Sequence, residues 1–284
     1  MTPEVGTPYD EHPTVDVGSS SPPPPVEGAV RAVGAFAMGC LRHAGRALIL
    51  VVAVLGYLRR PHLFWQSGMA QAKRIGVDGL ALVLIVGGLS GALLAQQTGY
   101  QLSEALPMSL VGGGVVGGML TELGPVLTAI VLAGRMGAGI GAELGTMKVT
   151  DQIDALITLG RDPVAELVVP RVLGGVLALL PLVILADAFG IFAGWITGVS
   201  MLPMTTTDFV FGARSYYHSA ALIFSLIKAP IYGFTITFTA CYVGLRAEGG
   251  AAGVGRTATK AVVAIIVAIM VLDVILGPLY KALK

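Results

Sequence analysis

The chain reads as an all-α integral membrane protein, with N-terminal interfacial helices, five transmembrane helices and a short cytoplasmic helix between the second and third spans. Three observations predict this. Hydrophobic residues make up 55% of the sequence and charged residues only 12%, about half the charge of a soluble domain, and the mean hydropathy is +0.81. Five apolar stretches reach the ~20 residues needed to cross a ~30 Å hydrocarbon core. Lysines and arginines are spread very unevenly around those stretches.

Residues 1–28 are polar and proline-rich with no apolar face, so a disordered cytoplasmic tail is expected. They lack the basic, apolar and small-residue order of a signal peptide and the bias of a transit peptide, which leaves a bacterial inner membrane as the default location. In residues 29–74, Arg42 and Arg46 interrupt the apolar run, and only 12 residues separate Arg46 from Arg59. Arg59, Arg60, Lys73 and Arg74 follow, with Phe64 and Trp65 among them. This segment reads as amphipathic helices lying in the interface; a sixth span is the alternative. The remainder, to residue 284, divides into spans at about 77–100, 108–140, 164–198, 216–245 and 259–282.

With the N-terminus inside, fourteen Lys and Arg fall on the cytoplasmic side, in 29–74, 135–171 and 246–260. Arg214, Lys281 and Lys284 fall on the other side, and Lys228 is left within a span. That asymmetry follows the positive-inside rule and predicts a cytoplasmic N-terminus and a periplasmic C-terminus.

The 39 glycines have an order of their own. Gly87 and Gly91; Gly137, Gly141 and Gly145; and Gly190, Gly194 and Gly198 lie four apart on single helix faces, a spacing that lets backbones approach closely. Packing within one subunit is the first reading, and a subunit interface is compatible. The run GGGVVGG at 112–118 has more glycine than a packing face needs. Each glycine costs a helix up to ~1 kcal/mol, so a flexible or broken segment is expected there.

No enzyme constellation appears. Cys40 and Cys241 lack a partner spacing, and His12, His43, His62 and His218 are scattered, so neither a disulfide nor a metal site is expected. No basic-aromatic patch points to nucleic acid. Gly250, Gly255, Arg256 and Thr257 imitate a P-loop, but arginine replaces the phosphate-binding lysine and no strand precedes it. Those glycines read as a flexible cytoplasmic turn, and the chain is expected to hydrolyse no ATP itself.

Charges inside the spans carry more information, since each is costly in lipid and is usually paired or lines a cavity. At 1.5 Å per residue, Asp273, Asp187, Lys228 and Glu122 lie roughly 14, 17, 18 and 21 Å from the outer ends of their spans. Their shared depth predicts a polar cluster, with Lys228–Asp273 as its first pair. It is either an ion pair that locks helices together or the wall of a cavity that meets a polar head group. On the cytoplasmic side, Val149, Ile153, Leu156 and Ile157 share one helical face, while Thr150, Asp151 and Asp154 face elsewhere. Arg161-Asp162-Pro163 ends that helix and starts the next. A compact helix tied to two spans suits the transmission of motion from a soluble motor.

The stretches ELGPVLTA (122–129), AGRMGAGIGAELGTMKVTDQIDAL (133–156) and DPVAELVVPR (162–171) closely resemble the signature of the MlaE/YrbE family, the permease subunits of MCE-associated ABC transporters. The likeness runs from about residue 35 to the C-terminus. The resemblance implies a homodimer whose coupling helices, here Val149, Thr150, Asp151, Gln152, Ile153, Asp154 and Leu156, receive a cytoplasmic ABC ATPase. It also implies a STAS-domain regulator in many cases and a periplasmic ring of MCE proteins. ATP and Mg would be used by the ATPase, and no cofactor by this chain. The cargo would be a lipid, typically phospholipid moved between inner and outer membranes; a sterol or other hydrophobic cargo is the alternative. Asp151-Gln152 matches the family's usual Glu-Gln, and Glu122 matches the glutamate of ELGP, although the residue before it, often basic, is Thr121. Lys228 and Asp273 fall where the family also places intramembrane charges, and Tyr100 matches an aromatic near the cavity mouth. A proton-coupled transporter using the buried acids, or a non-transporting membrane scaffold, are the readings from other classes.

Overall fold

The computed structural model describes residues 25–59, 64–102 and 106–283, which are almost entirely helical and contain no strand. Contacts divide the chain into residues 1–48 and residues 49–284. Helix α1 spans Pro25–Leu58. Proline at its first position has no amide hydrogen to lose, so the last residues of the expected tail already belong to a helix; the tail before them lies outside the described residues.

Among the described residues, five helices are long and apolar enough to cross a membrane, at 65–101, 109–149, 164–201, 219–244 and 250–282. Within α1 only a shorter apolar stretch, Gly45–Tyr57, is present. Helix α2 covers Trp65–Gln101. Residues 65–74, expected in an interfacial helix, are helical and continuous with the helix of the first span. At 1.5 Å per residue α2 is about 55 Å long, and the long stems of Lys73 and Arg74 let their charges reach water from its end.

The second span is a succession of segments: α3 (Ser109–Gly118), a π-helical turn at Met119–Leu123, α4 (Gly124–Leu132), a second π turn at Ala133–Gly137 and α5 (Ala138–Val149). The GGGVVGG run is regular helix, contrary to the expected break. Its glycines serve close packing against α8 (Thr206–Tyr216): a Cβ on Gly112 would overlap the Phe209 carbonyl, and one on Gly113 the Tyr216 ring. Helix α6 (Gln152–Thr158) connects to the third span, which opens with a π turn at Val164–Val168 and continues as α7 (Val169–Met201). Sequence reading missed α8, which is held by a capping box between Thr205 and Asp208. Helix α9 is Ser219–Gly244 and α10 is Gly250–Leu283. The P-loop-like glycines thus lie in the first turns of α10, and the bend before it falls at Gly249 and Gly250, with φ of 86° and 65°.

Helix α2 packs along α7 through facing small residues. Gly87 meets Ala186, and a Cβ on Gly91 would overlap the Gly190 carbonyl oxygen. Helix α5 meets α10 in the same manner, with Gly141 against Ala261. These glycine faces are therefore used inside one chain, where close backbone approach replaces the absent hydrophobic force. Gly91→Val should separate α2 from α7 at a cost of about 3 kcal/mol, read as a lower melting temperature in detergent. Gly117→Ala, at a position with nothing within 4 Å of the new carbon, should melt like the parent; equal melting of both variants would refute this account of the crossing.

Candidate functional site

The polar centre of the second span is placed by two backbone irregularities. Glu122 lies in the first π turn, and Pro125 follows within the first turn of α4. In a regular helix the amide of residue 125 would bond the Thr121 carbonyl, but proline has no hydrogen to give. The ammonium of Lys228, from α9, donates to that carbonyl at 2.9 Å. The same nitrogen is 2.9 Å from Glu122 Oε2 and 2.7 Å from Asp273 Oδ1 of α10. An ammonium has three hydrogens, and the three contacts supply an acceptor for each.

Aromatic neighbours complete the site. One turn before Lys228, the Phe224 ring sits 4.4 Å from its nitrogen, a favourable position for a cation in apolar surroundings. One turn after it, the Tyr232 hydroxyl donates to Asp273 Oδ1 at 2.6 Å. Lys228 is wholly buried, while the side chains of Asp273 and Glu122 are 23% and 51% exposed. The second, fourth and fifth spans are thereby joined through one nitrogen. With all three groups ionised the cluster carries a formal charge of −1, and its most accessible member is Glu122. Such a group can meet the polar part of a molecule travelling beside an otherwise apolar wall.

Of the residues that axial depth grouped together, the structure unites Glu122, Lys228 and Asp273 but not Asp187. Asp187 accepts from the Ser225 hydroxyl at 2.8 Å and lies against Gly124, which has no room for a Cβ. It lines a separate cavity of about 800 Å³ with Val116, Leu120, Trp195 and Arg214. Tyr100 is 70% exposed in the last turn of α2 and lines a groove with Leu94, Gln97, Leu123 and Leu127. Sequence reading missed Tyr232, whose i+4 spacing from Lys228 was the available signal, and the Thr121 carbonyl, signalled by Pro125.

The segment between the second and third spans departs from a single helical face. Helix α5 ends at Val149, and Asp151 takes a left-handed conformation with φ of 58° before α6 begins. Aspartate tolerates that region better than most residues. The break turns Ile153 inward, to 5% exposure, and leaves Ile157 and Leu159 outward at 56% and 75%. Lys148 bridges the turn to Asp154 at 3.1 Å. Tyr57 donates to Asp162, whose hydrogen bond and charge hold the phenol above its usual range. Arg161 pairs with Glu166 at 3.1 Å, and buried Arg171 donates to Glu143 at 2.8 Å, so the far end of the segment is tied to α1 and the two flanking spans to each other.

Comparison with known proteins agrees with this architecture. The family model described as Permease MlaE matches residues 69–279. A probable ABC transporter permease protein of Rickettsia typhi is 37% identical over 217 residues, covering 76% of this chain and 83% of that protein. A probable ABC transporter permease protein of Synechocystis is 32% identical over 225 residues, covering 79% and 86%. The Arabidopsis thaliana protein TRIGALACTOSYLDIACYLGLYCEROL 1, chloroplastic, is 30% identical over 218 residues, covering 77% and 62%. The matched region takes in all five membrane helices, the Lys228 cluster and the α5–α6 turn, and on that extent the chain belongs to the MlaE permease family of ABC transporters.

Proposed function

We propose that this chain is the membrane half of a lipid-moving ABC transporter, with phospholipid as its cargo class, and that it carries no catalytic site of its own. The observation that carries the reading is the Lys228 cluster: an ammonium is held between two carboxylates in mid-span, and the more accessible acid, Glu122, directly precedes Leu123, which with Leu93, Leu94 and Leu127 lines the groove of Tyr100. An amphiphile has an apolar body and a polar end, and this pairing offers a match to each. The Arabidopsis relative bears the name of a galactolipid, which is consistent with lipid cargo.

In this reading the chain sits in a bacterial inner membrane with its N-terminus cytoplasmic and C-terminus periplasmic, as the Lys and Arg distribution supports. The α5–α6 turn then faces the cytoplasm, where its outward Ile157 and Leu159 give a soluble ATPase something apolar to grip. ATP and Mg belong to that partner. Two copies form the permease, an assignment supported by the long uncovered apolar row of α10, including Val267, Val271 and Val274. An MCE-type ring belongs at the opposite, outer face, beyond α8, and a STAS-domain regulator beside the ATPase.

The test is to copurify the chain with its ATPase, identify bound lipid by mass spectrometry, and follow fluorescent phospholipid between vesicles. Bound phospholipid and transfer that requires ATP and Mg are expected. Transfer driven by a proton gradient without the ATPase would replace this reading with secondary transport. A sterol as the bound molecule would change the cargo class, and neither bound lipid nor transfer would leave only a scaffold.

A further inference from the structure

A second polar cavity lies where α2 faces the Arg135 turn, and none of its charges takes part in the Lys228 cluster. It has a volume of about 250 Å³ and is lined by Gln71, Arg74, Asp78, Arg135 and Glu143 among apolar neighbours. Arg135 sits in the second π turn, Ala133–Gly137. Such turns insert an extra residue and re-aim the side chains around it, frequently at functional sites. Gly139 opens one wall, with nothing within 4 Å of the place a side chain would take.

Three of the cavity's four charges, on Arg74, Asp78 and Arg135, are exposed and so open to a ligand. Glu143 is engaged, 2.8 Å from buried Arg171 and 3.9 Å from Arg74. Arg135 and Asp78 line the same cavity, yet among the described residues they pair neither with each other nor with any other group. Two guanidinium groups and two carboxylates therefore line one small space, with one of each sign unpartnered. Arg135 lies thirteen positions beyond Glu122 along the same span, roughly 20 Å at helical rise, toward the α5–α6 turn. If mid-bilayer is the level of Glu122, this cavity is at the head-group level of the leaflet on that side.

We propose that this cavity binds the zwitterionic head group of a membrane phospholipid, with the phosphate on Arg135 and Arg74 and the ammonium on Asp78 and Glu143. A volume of about 250 Å³ accommodates a phosphoethanolamine group but no acyl chain, so the chains stay in the bilayer or enter the groove along α2. Guanidinium groups match phosphate oxygens by geometry as well as charge. An anionic lipid satisfies only the arginines and leaves Asp78 without a cation, which makes the site selective for a lipid carrying both charges. The proposal rests on lipid being the cargo and adds a loading point in the cytoplasmic leaflet, set apart from the mid-span cluster.

The test uses the full chain with Gly139→Cys in a Cys40→Ser background, labelled with a benzophenone and reconstituted into phosphatidylethanolamine or phosphatidylglycerol vesicles; Cys241 is buried. Illumination should give mainly a phosphatidylethanolamine adduct. Arg135→Gln should lower adducts with either lipid about tenfold, the worth of one charged hydrogen bond. Arg135→Lys keeps the charge but loses the planar fork, so its yield should fall between those of the parent and Arg135→Gln, and an unchanged melting temperature in all three controls for folding. Asp78→Asn should lower the phosphatidylethanolamine adduct and spare the phosphatidylglycerol one. Yields independent of head group and of both variants would overturn the proposal. Loss of the lipid adduct when millimolar inorganic phosphate is present during illumination would overturn it too, in favour of a soluble phosphate site. The adduct pattern is read without ATP, so its persistence in a complex that transfers no lipid would count against the transport reading and not against this site.

Discussion

Lys228→Met is expected to destabilise the folded protein by about 3 kcal/mol and, under the proposed function, to abolish ATP-driven lipid transfer. The side chain is wholly buried and supplies three hydrogen bonds, to Thr121 O, Glu122 and Asp273. Methionine fills a similar volume but leaves two carboxylates facing each other with no cation. Removing one partner of a buried ion pair typically costs 3–5 kcal/mol; the lower end applies because Glu122 is half exposed and water can compensate part of its charge. The loss would be read as a lowered melting temperature in detergent.

The single variant cannot separate a structural lock from a functional wall, since both predict damage. The triple variant Glu122→Gln, Lys228→Met, Asp273→Asn does separate them. With every charge gone, no ion is left uncompensated, and replacing a buried pair by neutral groups is often close to neutral in stability. Melting should recover most of the loss, short of the parent by the Thr121 carbonyl that Lys228 no longer satisfies. If the cluster meets a lipid head group, transfer stays abolished in that restored fold. Recovery of transfer along with stability would show that the charges only hold the second, fourth and fifth spans together. Measuring the intermediate variants closes the cycle and assigns the coupling to particular pairs.

Much of this site was legible from residue types and spacing. The five apolar runs located the spans, and helical rise brought Lys228, Asp273 and Glu122 to one level. Asp187 shows the limit of that arithmetic. Rise per residue gives depth along a helix but not the direction in which the side chain points, and Asp187 turns to Ser225 and Gly124 instead. The π turns around Glu122 and Arg135 were equally hidden. They change the angular register of everything that follows, and no residue type requires them. Gly112 and Gly113 were misread for a related reason: intrinsic propensity disfavours them in a helix, and tertiary contact with Phe209 and Tyr216 outweighs it. A single left-handed residue, Asp151, likewise divided what periodicity presented as one apolar face from Val149 to Ile157.

That division decides which residues an ATPase would grip, and it gives the second large effect. Ile157→Asp with Leu159→Asp should abolish copurification of the ATPase while the permease alone melts normally. Both side chains point outward, at 56% and 75% exposure, so a charge there costs the isolated chain little. In a docked complex the same charges would be buried against an apolar partner surface, and hot-spot residues of that type account for about 2–4 kcal/mol each, enough together to weaken binding about a thousandfold or more. Ile153 is the contrasting position: it is 5% exposed, so Ile153→Asp should unfold the turn itself and lower melting. Asp151 needs a different substitution. Alanine there would combine loss of charge with strain at a φ of 58°, whereas asparagine keeps the left-handed tolerance and removes only the charge. Asp151→Asn with Asp154→Asn, which also releases Lys148, should leave the ATPase bound but uncouple its hydrolysis from lipid transfer. If the Ile157 and Leu159 variant still retains the ATPase, and the asparagine pair still transfers lipid at the parental rate per ATP, the force enters the membrane elsewhere.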